Sequence, residues 1–378
     1  MTQEELADKA GVSVRTVRDI ESGRVRYPRA ATVRLLVAAL DDVEPPRQLP
    51  PPVATFTGRR AEIAEIAGLL ASASVAIAGM GGVGKTALAV QIGHAVADRF
   101  PDGQLHVAVR DHAPLALLRR LLRAFGVPAA EIPADVDGAA ARWRSALAGR
   151  RVLLVLDDAA RAEQVEPLLP GSPGCAAIIT ARPVMSALPQ VRHVSLRVPS
   201  EDESVESLAA AVGRERADRE PDAVAALVRR CGRLPLAVHL AGARLVARPS
   251  WPIAHLAERM AAPQRRLDEL ERDDVGVRAC FAASVDRLLA SSPDDARAFG
   301  LLGRLDSPSV TAGWAAQALE LPRADAERTL ERLADLHLIE AVSATRYRMH
   351  NLLRLYARER GKDLVPGELT RSRPLRAV

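Results

Sequence analysis

The sequence predicts a multidomain α/β protein: a P-loop parallel α/β sheet, then a helical subdomain, then a winged helix, with a small all-α helix-turn-helix unit at the N-terminus. Three observations predict it. Between residues 54 and 200, five short β-branched runs ("SVAIAGM", "QLHVAV", "RVLLVLDD", "AAIITAR", "HVSLRV") alternate with stretches of helical period, as in a parallel sheet wrapped by helices. The first run leads into "GMGGVGKT", which fits the phosphate-loop pattern GxxxxGK[ST]. Beyond Ser200 the apolar spacing is helical until a short hairpin, "LIEAV" and "RYRMH" around "SAT", precedes a last helix.

Taken in order, residues 1–42 read as two helices around a turn. Thr2 and Glu5 make a capping box, Gly11 sits at the turn, and Ser13 can cap a second helix that exposes Arg15, Thr16 and Arg18. From Arg15 to Arg34 six basic residues face two acids, which suits a phosphate-facing surface. Residues 43–53, "VEPPRQLPPPV", have the composition of a semi-rigid extended linker. The nucleotide-binding sheet is expected over 54–200, the helical subdomain over 201–275, the winged helix over 276–361 and a tail over 362–378. No repeat of 20 to 50 residues is visible.

Composition narrows the classes. At 48% hydrophobic and 26% charged, the 378 residues can bury real cores, and a net charge of +5 permits nucleic-acid binding without requiring it. The longest apolar run is too short and too charged to cross a bilayer, and the N-terminus lacks a basic-then-apolar leader, so a cytoplasmic protein without a membrane partner is expected. Cys175, Cys231 and Cys280 show neither a disulfide framework nor zinc spacing and read as small buried residues.

The chemistry concentrates at the phosphate loop. In the strand–loop–helix setting of "SVAIA" and "TALAVQIGHAVADRF", the amides of Gly79, Met80, Gly81, Gly82, Val83, Gly84 and Ala87 can surround phosphate oxygens. Lys85, one of only three lysines, would neutralise β- and γ-phosphates, and the Thr86 hydroxyl would ligate Mg²⁺. Asp157, at the end of "RVLLVLDD", is the metal-holding carboxylate, where open α/β sheets bind ligands. Asp158 either orients or deprotonates an attacking water or caps the following helix. Arg182 ends "IITAR" at the same sheet edge, either within reach of a γ-phosphate or as a solvated loop residue.

Six ordered motifs, "FTGRRAEIAEIAGLL", "GMGGVGKTALA", "LLVLDDA", "IITAR", "CGRLPLAVHLAG" and "YRMHNLLRLYA", resemble those of NB-ARC ATPases over about 54–360. That STAND class of signalling P-loop NTPases includes plant disease-resistance proteins and bacterial antibiotic-pathway regulators. The resemblance implies that Gly58 and Arg59 cover the adenosine, that Arg182 senses the γ-phosphate and that Pro235 packs on the adenine. It also implies that His350 reaches the β-phosphate of ADP and holds a closed state, and that slow ATP hydrolysis resets a switch between ADP-closed and ATP-open forms. The family's usual aspartate after that histidine is Asn351 here, which implies a looser lock. The N-terminal unit resembles the Cro/repressor-type helix-turn-helix. Carried over, Gln3 meets backbone phosphate, and Ser13, Arg15, Thr16 and Arg18 begin or line the helix that enters the major groove. That family has a helix before "TQEELA", for which the chain from Met1 leaves no room: either the true start lies upstream, or the domain lacks part of its core and binds DNA weakly or not at all.

Together these imply a nucleotide-gated DNA-binding transcriptional regulator using ATP/ADP and Mg²⁺, with DNA as partner. ATP-driven self-association and a separate signal-sensing protein remain open as further partners. The alternative is an oligomerising signalling or defence ATPase whose N-terminal unit binds protein. A metabolic P-loop enzyme would leave "GRLPLA" and "MHN" without a role.

Overall fold

The computed structural model describes residues 2–25, 28–29, 31–33, 35–36, 44–272, 275–305, 307 and 309–364. Arg26, Arg34, the first linker residue Val43 and the tail from 365 onward lie outside them. Five parallel strands form the central sheet: β1 (Ser74–Ala78), β2 (Gln104–Ala108), β3 (Leu153–Ala159), β4 (Ala176–Ala181) and β5 (Val191–Ser195). Their order is β2-β3-β4-β1-β5, all neighbours parallel. The fold class read from the sequence is the one observed.

Side chains alternate across the sheet as the two-residue period requires. Val75 and Ile77 of β1, Leu153 and Val155 of β3, and Ile178 of β4 face one apolar core; Ala76, Leu154, Leu156 and Ile179 face the other. The second core is closed by the helices Pro114–Ala124 and Val136–Ala146. The first runs past the helix Lys85–Ala95, through Glu201–Val212, Pro221–Arg230 and Pro235–Val246, and on to Phe281 and Leu352. Sheet, helical segment and C-terminal unit therefore share one continuous core.

Sequence period misses three details beyond Ser200. The long helix expected from Glu201 breaks at Gly213, whose φ of 93° starts a second helix, Arg214–Arg219. Short strands β6 (Glu271–Arg272), β7 (Val275–Gly276) and β8 (Ser309–Thr311) precede the expected hairpin. That hairpin, β9 (Glu340–Ser343) and β10 (Arg346–Arg348), makes two strands of a three-stranded antiparallel sheet, β8-β10-β9, with β10 at its centre. Strands of two or three residues are too short to display an alternation.

The C-terminal unit packs this sheet with the helices Val277–Ser291, Pro293–Gly303, Ala312–Leu319, Arg323–Asp335 and Asn351–Leu364. At the N-terminus the helices Gln3–Ala10 and Val14–Glu21 close on Leu6, Ala7, Ala10, Val17 and Leu36. The Thr2–Glu5 capping box, Gly11 with φ of 61° and the Ser13 cap all form. The proline-rich segment lies along the sheet edge rather than standing free: Gln104 N–H donates to the Pro46 carbonyl and Gln48 N–H to the Gln104 carbonyl, each at 2.7 Å.

An ion pair with a buried carboxylate anchors the C-terminal helices. Asp295 is 1% exposed and receives two bonds at 2.7 Å from Arg332 and one at 2.8 Å from the Ser292 hydroxyl. Arg332 is half exposed, so losing the arginine, not the aspartate, would leave a buried charge without its partner. Arg332→Ala, which leaves the Asp295 carboxylate buried without the arginine, is expected to cost about 2 kcal/mol in urea unfolding; a loss within about 0.5 kcal/mol, as at an ordinary surface site, would show the pair to be structurally idle.

Candidate functional site

The strand order places the β4 terminus between β1 and β3, so the phosphate loop, Thr180–Arg182 and Asp157–Asp158 converge at one sheet edge. The loop follows β1, and Gly82 and Gly84 take φ values of 79° and 95° that side chains with a Cβ avoid. The Lys85 ammonium curls back to the carbonyls of Gly79 at 2.7 Å and Met80 at 3.0 Å. Burial, then the nearby Arg182 charge, brings its pKa down to about 8. Thr86 Oγ1 donates to Asp157 Oδ1 at 2.7 Å. Thr180 Oγ1 donates to the same oxygen at 2.6 Å and accepts from the Asp158 N–H at 2.8 Å. One hydroxyl thus fixes both acidic residues.

Asp158 is not a helix cap. It lies inside β3 at a register break, with φ of 57°, and the next helix, Ala162–Val165, has Arg161 at its N-cap. The Asp158 carboxylate is paired with Arg110 and lies 3.7 Å from Arg182 Nε. Nor is Arg182 a solvated loop residue: its side chain is 11% exposed. Its Nη1 donates to the Cys280 carbonyl and to Ser284 Oγ, both at 2.7 Å on the helix Val277–Ser291. The Arg182 carbonyl in turn accepts from His337 Nδ1 at 2.8 Å. One residue at the sheet edge therefore holds two segments of the C-terminal unit.

A cavity of about 500 Å³ opens over this edge, within the usual range for small-molecule sites. The phosphate loop, both aspartates and Arg182 line its polar end; Phe56, Pro235 and Leu236 line the other. Pro235 starts the helix Pro235–Val246, and Leu236 N–H donates to the Gly82 carbonyl at 3.1 Å, tying that helix to the loop. Thr57 Oγ1 is buried on the cavity wall without a hydrogen-bond partner among the described residues, a polar atom left for a ligand. Arg59 lines the cavity but spends its guanidinium on Glu62 and the Arg197 carbonyl, while its N–H donates to Glu203 Oε1 at 2.8 Å. Gly58 is pressed against the same Glu203 carboxylate.

His350 stands apart from this group. It lines a neighbouring cavity of about 740 Å³ and not the one that holds Lys85. Its Nδ1 accepts from the Leu352 N–H at 3.3 Å, so Nε2 carries the proton donated to the Gly232 carbonyl at 2.9 Å. Asn351 Nδ2 reaches the Arg229 carbonyl at 3.4 Å, a donation that an aspartate could not make. In this arrangement the histidine holds the "GRLP" turn and the asparagine the end of the helix Pro221–Arg230, rather than a phosphate.

At the N-terminal unit, the Arg15 side chain is 90% exposed, 3.7 Å from Asp19. Gln3 donates to Glu21 at 2.6 Å and accepts from Arg18 at 3.4 Å, and Ser13 and Thr16 share a bond at 2.8 Å. The sequence reading gives no role to Thr57, Arg110, Thr180, Cys280, Ser284 or His337. Thr180 lies inside "IITAR" and carries a signal in hindsight; the others reach the site only through tertiary contacts.

A β2-β3-β4-β1-β5 parallel sheet with this loop and these carboxylates defines a P-loop NTPase. Residues 60–218 match the NB-ARC domain, and residues 1–47 match a helix-turn-helix domain. It is 41% identical over 376 residues to the regulatory protein AfsR of Streptomyces coelicolor, covering 94% of this chain and 38% of that protein. With the Streptomyces griseus AfsR it shares 44% over 324 residues, covering 83% of this chain and 33% of the relative. The chain thus spans only 38% and 33% of the length of these two relatives. Among solved structures, the Walker-type ATPase paby2304 of Pyrococcus abyssi superposes with a TM-score of 0.58 at 13% identity, over 83% of this chain and 98% of that one, which speaks to fold alone. Among the described residues no helix is long and apolar enough to cross a membrane.

Two outcomes follow from the Gly232 contact. A Cβ there would stand 2.2 Å from Asn351 Oδ1 and 2.5 Å from His350 Nε2, at a φ of 63°. Gly232→Ala is expected to separate the two segments and to cost at least about 1–2 kcal/mol from the backbone alone, measured by urea unfolding; unchanged stability would mean that the contact is loose. The second concerns acid. Burial, followed by the charges of Arg233 and Arg348, lowers the His350 pKa to about 4 against the Gly232 bond that raises it. The unfolded chain takes up that proton first, so stability is complete above pH 6.5 and falls as pH drops toward 4, by at most about 3 kcal/mol. His350→Gln keeps an amide donor for Gly232 and should flatten that acid limb, leaving the part due to His337 and His106 and to the carboxylates of Glu203 and Asp295, all likewise lowered; identical limbs in both proteins would contradict the assignment.

Proposed function

We propose that this chain is a nucleotide-operated switch, taking ATP or ADP with Mg²⁺ in the 500 Å³ cavity and thereby gating a DNA-binding helix-turn-helix. The observation that carries the reading is Arg182, shared between the phosphate end of the cavity and the helix Val277–Ser291. Bound nucleotide supplies the variable charge; the rest is done by side chains of the chain. Lys85 would exchange its two carbonyl partners for phosphate oxygens. Thr86 and Asp157, already 2.7 Å apart, would hold the metal, and Thr180 would keep Asp157 in place. Thr57 and Pro235 fit the adenosine end.

ATP and ADP differ by one phosphoryl group, so switching needs a contact that responds to it. Arg182 is that contact. Turning it toward a γ-phosphate means giving up the Cys280 carbonyl and the Ser284 hydroxyl, which loosens the C-terminal unit. The same turn moves one cation away from Asp158 and leaves its carboxylate freer to orient an attacking water. Hydrolysis is slow while Asp158 stays paired, and it resets the switch. A full swing from 1:99 to 99:1 needs about 5.5 kcal/mol of differential binding, so Arg182 must act together with the metal and the clasp at Gly232. The relatives described as regulatory proteins and the exposed Arg15 favour DNA over protein as the target of the N-terminal unit.

The protein is expected to purify with ADP or to bind it, and Lys85→Ala to weaken that binding about a hundredfold or more. Gel-shift titrations with ADP and with a non-hydrolysable ATP analogue should give different affinities for one DNA sequence. DNA affinity no better than non-specific in every nucleotide state would sink the regulator reading while leaving nucleotide binding intact.

A further inference from the structure

The cavity of about 740 Å³ is the larger of the two described, and three units wall it. Met80 comes from the phosphate loop and Leu196 from the end of the sheet; Arg233 comes from the "GRLP" turn; Leu338 and Met349 come from the C-terminal unit. Most of the lining is apolar. Three of its arginines are already matched: Arg229 with Glu201 at 2.7 Å, and Arg197 and Arg348 with Glu340 at 3.3 and 2.9 Å. The remaining acid, Asp335, stands exposed on the rim.

Arg233 differs. Among the described residues it pairs with no carboxylate, and it lines both cavities. Its φ is 60°, a left-handed conformation that residues with a Cβ rarely adopt. The turn holds it there through its N–H, which donates to the Val228 carbonyl at 3.1 Å. Strain of this kind collects at functional positions. A half-buried, unpaired guanidinium over an apolar floor calls for an anion with an apolar body.

We propose that this second cavity binds a small amphipathic anion, its acidic group on Arg233 and its apolar part against Met80, Leu196, Leu338 and Met349. Such a ligand touches all three units at once and therefore favours the arrangement in which they meet. Because Arg233 also faces the nucleotide cavity, occupancy of one site changes affinity at the other, reciprocally. The site itself stands on the cavity and Arg233, and does not require the nucleotide reading.

Anilinonaphthalene sulfonate, an aromatic sulfonate that fluoresces in apolar surroundings, is a suitable probe for the full chain with and without ADP. One saturable site per chain is expected. Arg233→Gln should weaken it about tenfold, the loss of one partly buried ion pair. Val184→Trp fills the cavity from an edge position that is 36% exposed and should block it, whereas Val246→Trp, an exposed control away from the cavity, should not. With folding of each variant checked by circular dichroism, probe binding that survives either Arg233→Gln or Val184→Trp unchanged, or that never saturates, overturns the proposal. Failure of ADP to alter probe affinity would remove the coupling alone, and failure of ADP to bind would count against the nucleotide reading instead.

Discussion

The buried guanidinium of Arg182 is the contact on which the rest of the arrangement depends. It leaves the end of β4, passes Asp158 at 3.7 Å and ends on the Cys280 carbonyl and the Ser284 hydroxyl, while its own carbonyl holds His337. Only the sheet order makes this possible, because β4 runs between the phosphate-loop strand and the aspartate strand. The same insertion lets the Thr180 hydroxyl bridge Asp157 and the Asp158 backbone. A guanidinium with five fixed donors suits such a junction better than an ammonium would. It binds several acceptors at once, and a new anion nearby can recruit it.

The second constraint is the lack of room at Gly232. The C-terminal unit meets the helical segment through His350 and Asn351, which clasp the carbonyls of Gly232 and Arg229 with no space for a side chain between them. Both partners in the clasp are neutral: burial keeps the imidazole uncharged, and the amide offers a donor where a carboxylate would repel a carbonyl oxygen. This gives Asn351 a physical role in the arrangement described. The continuous apolar core beneath holds the units together, and the polar contacts above it set how they are oriented.

Much of this was legible in the sequence, and the reasons for the misses are specific. The sheet, the phosphate loop and the capping box are local signals: period two, a glycine pattern and a Thr–Glu spacing, each read within one segment. Strand β8 was not legible, because three residues show no alternation and it exists only through pairing with Arg346–Arg348. Sequence alone leaves Asp158 between two roles because helix caps and strand ends share residue types; the register break and the two arginines decide against the cap. Resemblance places His350 against a phosphate, and its seat in the neighbouring cavity instead of the one that holds Lys85 cannot be read from order along the chain. Arg110 and Ser284 carry no motif at all and become visible only where the chain brings them to the sheet edge.

Coupling between the phosphate end of the cavity and the C-terminal unit through Arg182 is tested most directly by amide hydrogen exchange of the helix Val277–Ser291 and of residues 336–338. Compared with ADP, a non-hydrolysable ATP analogue should speed exchange in both segments, and Arg182→Ala should abolish the difference while leaving the central strands protected. Equal exchange in the two nucleotide states of the unaltered chain would contradict the coupling.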